Sequence, residues 1–366
     1  MYMKIMYLLF SFTVGGTERL VANICNQMNA NGEEVFLLIV NDLTDDKLLN
    51  TLDSKINVKL LKRKVGSKDK ISPLVQVAKY INENKIDVVH CNSFNAPELL
   101  VLSKIINPRC KIVSTIHGVG QFKKTGKFRI ALKNWICDQF IGISDVVKND
   151  IVQAGIKEGK VRRIYNGIDV KKYECAQKKL FDADHIVIGC IARIMPSLKG
   201  QDILLRAAYK LKKQFPHIKV IFAGGVAEEQ KNEYKELQEY VKNNDLSANV
   251  TFLGSVDDIP AFLNTIDICV VPSRSEGFGL ALVEALSMGV PCVASDIEGP
   301  KEILENERGG TLFNNGDSVD LTAKIEEMIF NYNVVKNLTW NDKETIKEKY
   351  SIQSMCRELM KIYEVH

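Results

Sequence analysis

Residues 266–288 read IDICVVPSRSEGFGLALVEALSM, and the patterns within them indicate the fold class. Residues 268–271 are an unbroken apolar run, as expected of a strand that is buried on both faces of a parallel sheet. Pro272 ends the strand because it cannot donate a backbone hydrogen bond to a neighbouring strand. Residues 273–279 are rich in turn-forming residues, and residues 280–288 predict a helix that ends before Gly289. The stretch therefore predicts a strand, a loop and a helix in direct succession.

Two carboxylates lie in this predicted unit. Glu284 is the one charged residue of an otherwise apolar helix, and burying a carboxylate is costly unless hydrogen bonds are donated to it. A structural Arg or Lys partner would supply them, and so would the hydroxyl groups of a ligand. Glu276 lies in the preceding loop, just ahead of a helix N-terminus, where exposed N–H groups and the helix dipole attract phosphate. A nucleotide-sugar fits both, with sugar hydroxyls on Glu276 and ribose hydroxyls on Glu284.

The segment resembles the E-x7-E motif of retaining glycosyltransferases of the GT-B fold, in particular those of family 4. The resemblance implies that Glu276 positions the transferred sugar and that Glu284 holds the ribose. It implies that the bare backbone of Gly277, Phe278 and Gly279 also contacts the donor. The fold that it implies consists of two Rossmann-like, doubly wound parallel-sheet domains that face a deep cleft.

Strand and helix patterns alternate along the whole chain, which by itself predicts doubly wound parallel sheets. We expect an N-terminal, acceptor-side domain at 1–175 and a C-terminal, nucleotide-sugar-binding domain at 186–348, since residues 174–185 break the periodicity. Residues 349–366 predict an amphipathic terminal helix, which the resemblance places back on the N-terminal domain. The predicted strands are residues 4–10, 34–40, 56–61, 86–90, 111–116, 138–143, 186–191, 220–223, 250–254, 268–271 and 291–294.

Two cations follow the first predicted strand of the second half. Arg193 and Lys199 flank a loop that leads into a helix, where Arg as a planar fork and Lys as a point charge suit a diphosphate. A pair of solvated surface charges is the alternative. The spacing resembles the R-x(4–5)-K-G pattern of family 4, with Ala192 where glycine is common. The resemblance implies that both cations bind the donor diphosphate and stabilise its departure.

Two features of the first half also resemble family 4. Residues 15–18 form a G-G-x-E turn after the first predicted strand. The resemblance implies that the backbone of this turn approaches the donor diphosphate or the acceptor, and we expect Gly16 to contact the donor. His117 follows a predicted strand directly and precedes Gly118. A lone histidine is more often structural, but ligands of parallel sheets bind at the carboxyl ends of strands. His117 resembles the family histidine that contacts the transferred sugar.

Composition excludes several other classes of protein. The chain has 366 residues, 46% of them hydrophobic and 26% charged, which describes a globular protein of two ordinary domains. Its longest apolar stretches fall well short of the roughly 18–20 residues that span a bilayer, and its N-terminus predicts a strand and not a signal peptide. Nine cysteines without a C-x-x-C pair indicate reduced thiols in the cytoplasm and argue against disulfides or a zinc site.

Positive charge is concentrated in the first half. Residues 1–179 hold 29 Lys and Arg against 17 Asp and Glu, whereas residues 180–366 hold 20 against 28. The asymmetry suggests that the first half faces a membrane surface, a phosphorylated acceptor or nucleic acid. In residues 121–135, five basic residues are interleaved with Phe128, Leu132 and Trp135 at helical spacing. This amphipathic helix would rest in an anionic membrane interface or, in the interpretation that we slightly favour, turn its aromatics to the core. The basic loop 62–70 supports the membrane alternative.

From the resemblance we expect a retaining hexosyltransferase that uses a nucleoside diphosphate donor, a UDP-hexose or UDP-N-acetylhexosamine in preference to GDP-mannose. The expected acceptor is a glycan or an undecaprenyl-diphosphate-linked glycan in capsule, O-antigen or similar bacterial surface polysaccharide assembly. The expected catalytic residues are His117, Arg193, Lys199 and Glu276. We expect no metal and no cofactor, and residues 182–184 (DAD) only mimic a D-x-D metal site. The expected location is the cytoplasm, at the inner face of the plasma membrane, without a nucleic acid partner.

Two other functions stay open at this point. A GT-B-type epimerase that acts on the nucleotide-sugar would share the fold but need no membrane-facing charge. A non-catalytic partner that only binds a nucleotide-sugar or glycolipid would tolerate losses in the motifs, which are intact here. A dinucleotide dehydrogenase is excluded, because no G-x-G-x-x-G follows the first strand.

Overall fold

The computed structural model describes residues 2–13, 15–123, 125–174, 181–305 and 309–364. The chain forms two compact units, Met1–Ile168 together with Tyr350–His366, and Asp169–Lys349. Of the expected boundary segment, 174–185, residues 175–180 lie outside the described residues. Within the described ranges, no helix is long and apolar enough to cross a membrane.

The first unit contains a seven-stranded parallel sheet. Its strands are β1 (Lys4–Leu9), β2 (Glu34–Asn41), β3 (Asn57–Arg63), β4 (Val88–Cys91), β5 (Lys111–Ile116), β6 (Gln139–Gly142) and β7 (Val161–Arg163). Its helices are α1 (Gly16–Ala30), α2 (Asp46–Leu49), α3 (Ile71–Asn84), α4 (Val101–Ile106), α5 (Lys127–Ile136) and α6 (Asp145–Gln153). The strand order is β3-β2-β1-β4-β5-β6-β7, so the winding reverses between β1 and β4. The crevice at such a reversal is where open α/β sheets bind ligands.

The second unit repeats this plan with a six-stranded parallel sheet. Its strands are β8 (Val187–Ile191), β9 (Lys219–Ala223), β10 (Val250–Gly254), β11 (Ile268–Val271), β12 (Cys292–Ser295) and β13 (Gly310–Phe313). Its helices are α7 (Pro196–Lys199), α8 (Gln201–Leu211), α9 (Lys231–Asn243), α10 (Ile259–Thr265), α11 (Leu280–Ser287), α12 (Glu298–Leu304), α13 (Ser318–Phe330) and α14 (Tyr332–Lys349). The strand order is β10-β9-β8-β11-β12-β13, and the winding reverses between β8 and β11.

The central strands show why the sequence adopts this fold. All four residues of β11 are buried, as are five of the six residues of β1, because helices cover both faces of each sheet. The unbroken apolar run at 268–271 is therefore a central strand. The predicted fold class, two doubly wound parallel sheets, is confirmed.

The last helix, α15 (Ile352–Glu364), belongs to the first unit and packs against α1. The chain reaches it through a short bridge between Ile168 and Ser351. Gly167 makes this approach possible, since a Cβ there would lie 2.7 Å from the carbonyl oxygen of Ser351. The apolar face of α15 then joins the core of the first unit through Ile352, Met355, Leu359 and Tyr363.

A buried hydrogen-bond network also ties α15 to the sheet. The Nδ1 atom of His90, on β4, lies 2.5 Å from the hydroxyl of Tyr363, and its Nε2 atom lies 2.6 Å from the hydroxyl of Thr115 on β5. Burial, with a smaller effect of His117, lowers the pKa of His90 to about 3. Because a neutral imidazole has one donor and one acceptor nitrogen, the two hydroxyls satisfy it without a charge.

Helix α5 differs from its prediction. It begins at Lys127, and its aromatics do not face the core: Phe128 is 80% exposed and Trp135 is 50% exposed. Lys133 is buried in their place, with its ammonium 2.7 Å from the carbonyl oxygen of Phe94 and 3.0 Å from Glu98. The interpretation that the aromatics pack inward is therefore wrong. The Glu98 carboxylate and the Phe94 carbonyl, both in the connection after β4, compensate for the loss of water around the buried lysine. With Lys133 on the inner side of the helix, the aromatic side chains lie on its outer side. Of the basic residues in this stretch, Lys124 lies outside the described residues.

Candidate functional site

The site is built where the winding of the second sheet reverses. Strands β8 and β11 pair directly, with Ile188 opposite Ile268 and Gly189 opposite Cys269. The loop after β8 carries Arg193 and leads into α7, which ends at Lys199. The loop after β11 carries Glu276 and leads into α11. Parallel pairing thus brings together two loops that are far apart in the sequence.

Lys199 and Glu276 form an ion pair across these loops. The ammonium nitrogen lies 2.5 Å from Oε2 of the carboxylate, and each side chain is 22% exposed. Both residues are predicted site residues from separate motifs, and the fold makes them neighbours. An ammonium has three hydrogens, so the contact with Glu276 leaves Lys199 able to donate to an anion as well. The pair offers a cation and a hydroxyl acceptor side by side.

Gly200 sets the distance between the two loops. Its φ angle is +67°, and a Cβ there would lie 1.9 Å from the carbonyl oxygen of Pro272 at the end of β11. A residue with a side chain would therefore force the loops apart. This contact explains why glycine follows the lysine in the motif.

An arginine–aspartate pair clamps the same loops and was not predicted from the sequence. Arg274 binds Asp202 through two hydrogen bonds of 2.7 and 2.8 Å, and it also donates to the carbonyl oxygen of Pro196 at 2.6 Å. Its backbone N–H donates to Leu198 at 2.8 Å. Asp202 raises the pKa of Arg274 through this hydrogen bonding. The residues lie 72 positions apart, so no local sequence signal connects them.

Arg193 lies on the exposed side of the β8 loop. The loop backbone is held by hydrogen bonds of Ala192 to Ala223 at 3.1 Å and of Ile194 to Gly225 at 2.9 Å. Gly224 permits this contact, because a Cβ there would lie 1.8 Å from the carbonyl oxygen of Ala192. The loop is thus fixed by its backbone, and the Arg193 side chain is exposed to solvent.

The Gly-Phe-Gly connection between Glu276 and α11 is anchored by its aromatic residue. Phe278 is only 1% exposed, so only its backbone is placed to contact a ligand. Gly279 has a φ angle of +110° and precedes the first residue of α11. Gly299, at the start of α12, packs against this connection, since a Cβ there would lie 2.5 Å from the carbonyl oxygen of Glu276. Close backbone packing therefore fixes Gly277, Phe278 and Gly279.

Glu284 has a hydrogen-bond partner that sequence reasoning missed. The hydroxyl of Tyr173 donates to its Oε1 at 2.6 Å, and Tyr173 itself is 7% exposed. The two alternatives that the sequence left open were an Arg or Lys partner and a polyhydroxyl ligand. A tyrosine 111 residues earlier in the chain was not among them.

The remaining predicted residues lie in the first unit, at the carboxyl edge of its sheet. His117 follows β5 and is half-buried, and its Nε2 atom lies 3.3 Å from the side-chain oxygen of Asn92, which follows β4. Burial lowers the pKa of His117 to about 4, so the ring is neutral at pH 7. Gly16 is the first residue of α1. At Gly15, which has an extended backbone, a Cβ would lie 2.3 Å from Oε2 at the flexible end of the Glu18 side chain.

Two family models match the chain in succession. Glycosyltransferase Family 4 matches residues 14–172, and Glycosyl transferases group 1 matches residues 172–345. The protein therefore belongs to the family 4, group 1 glycosyltransferases.

Individual proteins of known sequence or structure are similar over most of the chain. The capsular polysaccharide biosynthesis glycosyltransferase CapM of Staphylococcus aureus is 23% identical over 338 residues, which is 87% of this chain and 88% of that protein. The O-antigen biosynthesis glycosyltransferase WclY of Escherichia coli is 28% identical over 313 residues, 81% of this chain and 80% of that protein. The crystal structure of Anabaena Alr3699/HepE in complex with UDP and glucose has a TM-score of 0.84 at 22% identity and covers 99% of each chain. This likeness shows the GT-B fold.

The lowered pKa values of His90 and His117 predict how the free energy of unfolding depends on pH. In the unfolded chain each takes up a proton below its ordinary pKa of about 6.5, whereas the native state keeps His90 and His117 neutral to about pH 3 and 4. The unfolded state therefore binds more protons, and the free energy of unfolding falls as pH is lowered from about 6.5 towards 4. The slope is up to about 1.4 kcal/mol per pH unit for each ring.

Urea denaturation between about pH 6.5 and 5 measures this slope, above the range where most carboxylates titrate. His117→Asn is expected to remove about half of it, since one of the two rings is then gone. An identical slope in the variant would show that His117 does not stay neutral in the native state.

Gly200→Ala tests the contact that sets the loop distance. The methyl group would lie 1.9 Å from the Pro272 carbonyl oxygen at a φ of +67°, so we expect a loss of about 2 kcal/mol or more in the free energy of unfolding. Gly159→Ala is the matched control, because a Cβ there meets nothing within 4 Å. Equal urea midpoints for the two variants would contradict the assigned role of Gly200.

Proposed function

We propose that this protein is a metal-independent, retaining glycosyltransferase that moves a sugar from a nucleoside diphosphate, a UDP-hexose or UDP-N-acetylhexosamine, to an acceptor hydroxyl. The acceptor is a glycan or lipid-linked glycan in the assembly of a bacterial surface polysaccharide. The observation that carries the proposal is the Lys199–Glu276 ion pair at the point where the winding of the sheet reverses. Arg193 lies on one of the same two loops, the one that follows β8. Similarity to proteins named for capsule and O-antigen biosynthesis supports it.

The barrier to this reaction is departure of the diphosphate, on which negative charge grows. Lys199 and Arg193 supply positive charge in fixed loops, and the N–H groups at the start of α11 add hydrogen-bond donors. Because these groups are already in place, they stabilise the transition state without reorganising. They thereby supply the charge that a metal ion would otherwise provide.

Glu276 and Glu284 divide the recognition of the donor. Glu276 accepts hydrogen bonds from hydroxyls of the transferred sugar, and its contact with Lys199 places the sugar next to the departing phosphate. Glu284 accepts from the ribose hydroxyls. The bond from the anomeric carbon to the phosphate oxygen breaks, the acceptor oxygen bonds to that carbon on the same face, and the departing phosphate takes the acceptor's proton.

The first unit contributes two of the predicted residues. His117, neutral at pH 7, exchanges a hydrogen bond with a hydroxyl of the transferred sugar. Gly16 contributes its backbone to donor binding. A neutral ring suits a sugar contact, because it can donate or accept and adds no charge that would hold the departing diphosphate at the wrong place.

The surface of the first unit supports binding to an anionic membrane at the inner face of the plasma membrane. Phe128 and Trp135 are exposed beside the exposed Lys123 and Lys127. A second exposed apolar group, Val65, Ile71 and Val75, lies beside the basic loop 62–70. Aromatic side chains in the interface and lysines facing anionic headgroups are a combination that favours peripheral binding. Such binding would bring a cytoplasmic enzyme to a lipid-linked acceptor.

Donor turnover without acceptor tests the proposed activity. The purified protein is incubated with a panel of UDP- and GDP-sugars, and nucleotide release is followed by mass spectrometry. Slow hydrolysis of one donor is expected, and it should fall by about 10²–10³-fold in Lys199→Met and in Glu276→Gln, because each variant loses one preorganised contact. Lys235→Met is the matched control, since this lysine pairs with Glu239 on the exposed surface of α9.

The same assay distinguishes the rival functions. Conversion to an isomeric nucleotide-sugar without release would identify an epimerase. Donor binding without turnover, even with lipid-linked acceptors added, would identify a binding protein.

Vesicle sedimentation tests the membrane proposal. The protein should sediment with phosphatidylglycerol vesicles and far less with phosphatidylcholine vesicles, and added salt should weaken binding because the attraction is partly electrostatic. Phe128→Ala/Trp135→Ala should reduce binding by about tenfold or more, through the loss of buried apolar area. The control is Leu253→Ala/Phe330→Ala, which removes two exposed apolar side chains from the second unit. Equal loss in both double variants would contradict a specific membrane face.

A further inference from the structure

The contact between Tyr173 and Glu284 goes beyond the motif residues. We propose that Tyr173 is a positioning residue whose hydroxyl holds the Glu284 carboxylate in the orientation that accepts the two ribose hydroxyls of a nucleoside diphosphate. The inference rests on the proposed function, because it assumes that Glu284 binds ribose.

The geometry is that of a strong hydrogen bond. The Tyr173 hydroxyl lies 2.6 Å from Oε1 of Glu284, within the short range of an O–H donor on a charged carboxylate. Tyr173 is 7% exposed, whereas Glu284 is half-buried on α11 between the buried residues Val283 and Ala285. The tyrosine therefore contacts the carboxylate from within the protein, where its ring is fixed by packing.

One such bond constrains the carboxylate without blocking it. A carboxylate has two oxygens and about four acceptor positions, and the hydrogen bond of Tyr173 takes one position on Oε1. A ribose diol that donates to this carboxylate therefore does not have to displace the tyrosine. With its rotation fixed by Tyr173, Glu284 loses less side-chain freedom when the ribose binds, and this lowers the cost of binding.

Tyr173 is itself positioned by the segment through which the chain enters the second unit. That unit begins at Asp169, and a short 3₁₀ turn, Val170–Lys172, follows at once. The backbone N–H of Tyr173 donates to the carbonyl oxygen of Val170 at 3.1 Å, and that of Lys172 donates to Asp169 at 3.0 Å. The entering segment is thus closed into a turn that places the tyrosine on α11. The same hydrogen bond fixes this segment and the carboxylate.

A purely structural tyrosine and a positioning tyrosine differ in one measurable way. A structural role would change stability, or would change the affinity for every nucleotide alike. A role exerted through Glu284 changes only the affinity that depends on the ribose hydroxyls. Nucleotides that differ solely in those hydroxyls therefore separate the two roles.

The experiment compares UDP with 2′,3′-dideoxy-UDP by isothermal titration calorimetry, or the GDP pair if GDP-sugars are the donors that turn over. Tyr173→Phe keeps the ring and removes the hydroxyl. We expect the variant to bind UDP about tenfold more weakly and to bind the dideoxy nucleotide with less than about twofold change. In a Glu284→Gln background, Tyr173→Phe should have no further effect on either nucleotide. Tyr209→Phe, at a partly exposed tyrosine of α8, is the matched control and should change neither affinity.

Each outcome decides the inference. Equal weakening of both nucleotides in Tyr173→Phe, or no weakening of either, would overturn the positioning role while leaving the proposed function intact. Absence of nucleoside diphosphate binding to the wild-type protein would overturn the proposed function and this inference together. A lowered melting temperature of Tyr173→Phe together with equal weakening of both nucleotides would identify a structural role, and this too would overturn the positioning role.

Discussion

The close contact between Gly200 and the carbonyl oxygen of Pro272 is the constraint on which the candidate site depends. It fixes the end of α7 against the end of β11, and Arg274 and Asp202 clamp the same two loops with paired hydrogen bonds. Lys199 and Glu276 lie on the two loops that this contact holds together. A side chain at position 200 would separate them, whatever the identity of the charged residues. The charged side chains of the site can therefore come together only if the backbone of the two loops packs closely.

The candidate site is polar, and its charged groups are paired within the protein. The ammonium of Lys199 pairs with the carboxylate of Glu276, and the hydroxyl of Tyr173 donates to Glu284. Neither carboxylate therefore depends on a ligand for a hydrogen bond. This arrangement avoids the cost of leaving half-buried charge without partners. It also keeps each group oriented, since an acceptor that is held by one bond has fewer rotamers to lose when a ligand binds. The donor would then join existing interactions and would not need to organise a flexible pocket.

In the first unit, a buried histidine and a buried lysine are satisfied by different kinds of partner. His90 is completely buried and is satisfied as a neutral ring by Thr115 and Tyr363, which attaches α15 to the sheet. Lys133 is buried with the carboxylate of Glu98 and a backbone carbonyl, and the aromatic residues of α5 are turned to the surface as a result. The exposed aromatic and basic surface thus follows from how one lysine is satisfied in the interior.

Sequence patterns predicted both doubly wound sheets, the loops that carry Arg193, Lys199 and Glu276, and every described strand except the short β7 and β13. These features are local, because burial periodicity and turn residues are written in short stretches. The contact of Tyr173 with Glu284 across 111 residues, that of Arg274 with Asp202 across 72, and the outward aromatics of α5 became visible in the folded chain alone. Such pairings depend on which loops the sheet makes neighbours and on which buried groups find partners there. Short-range patterns contain no information about either.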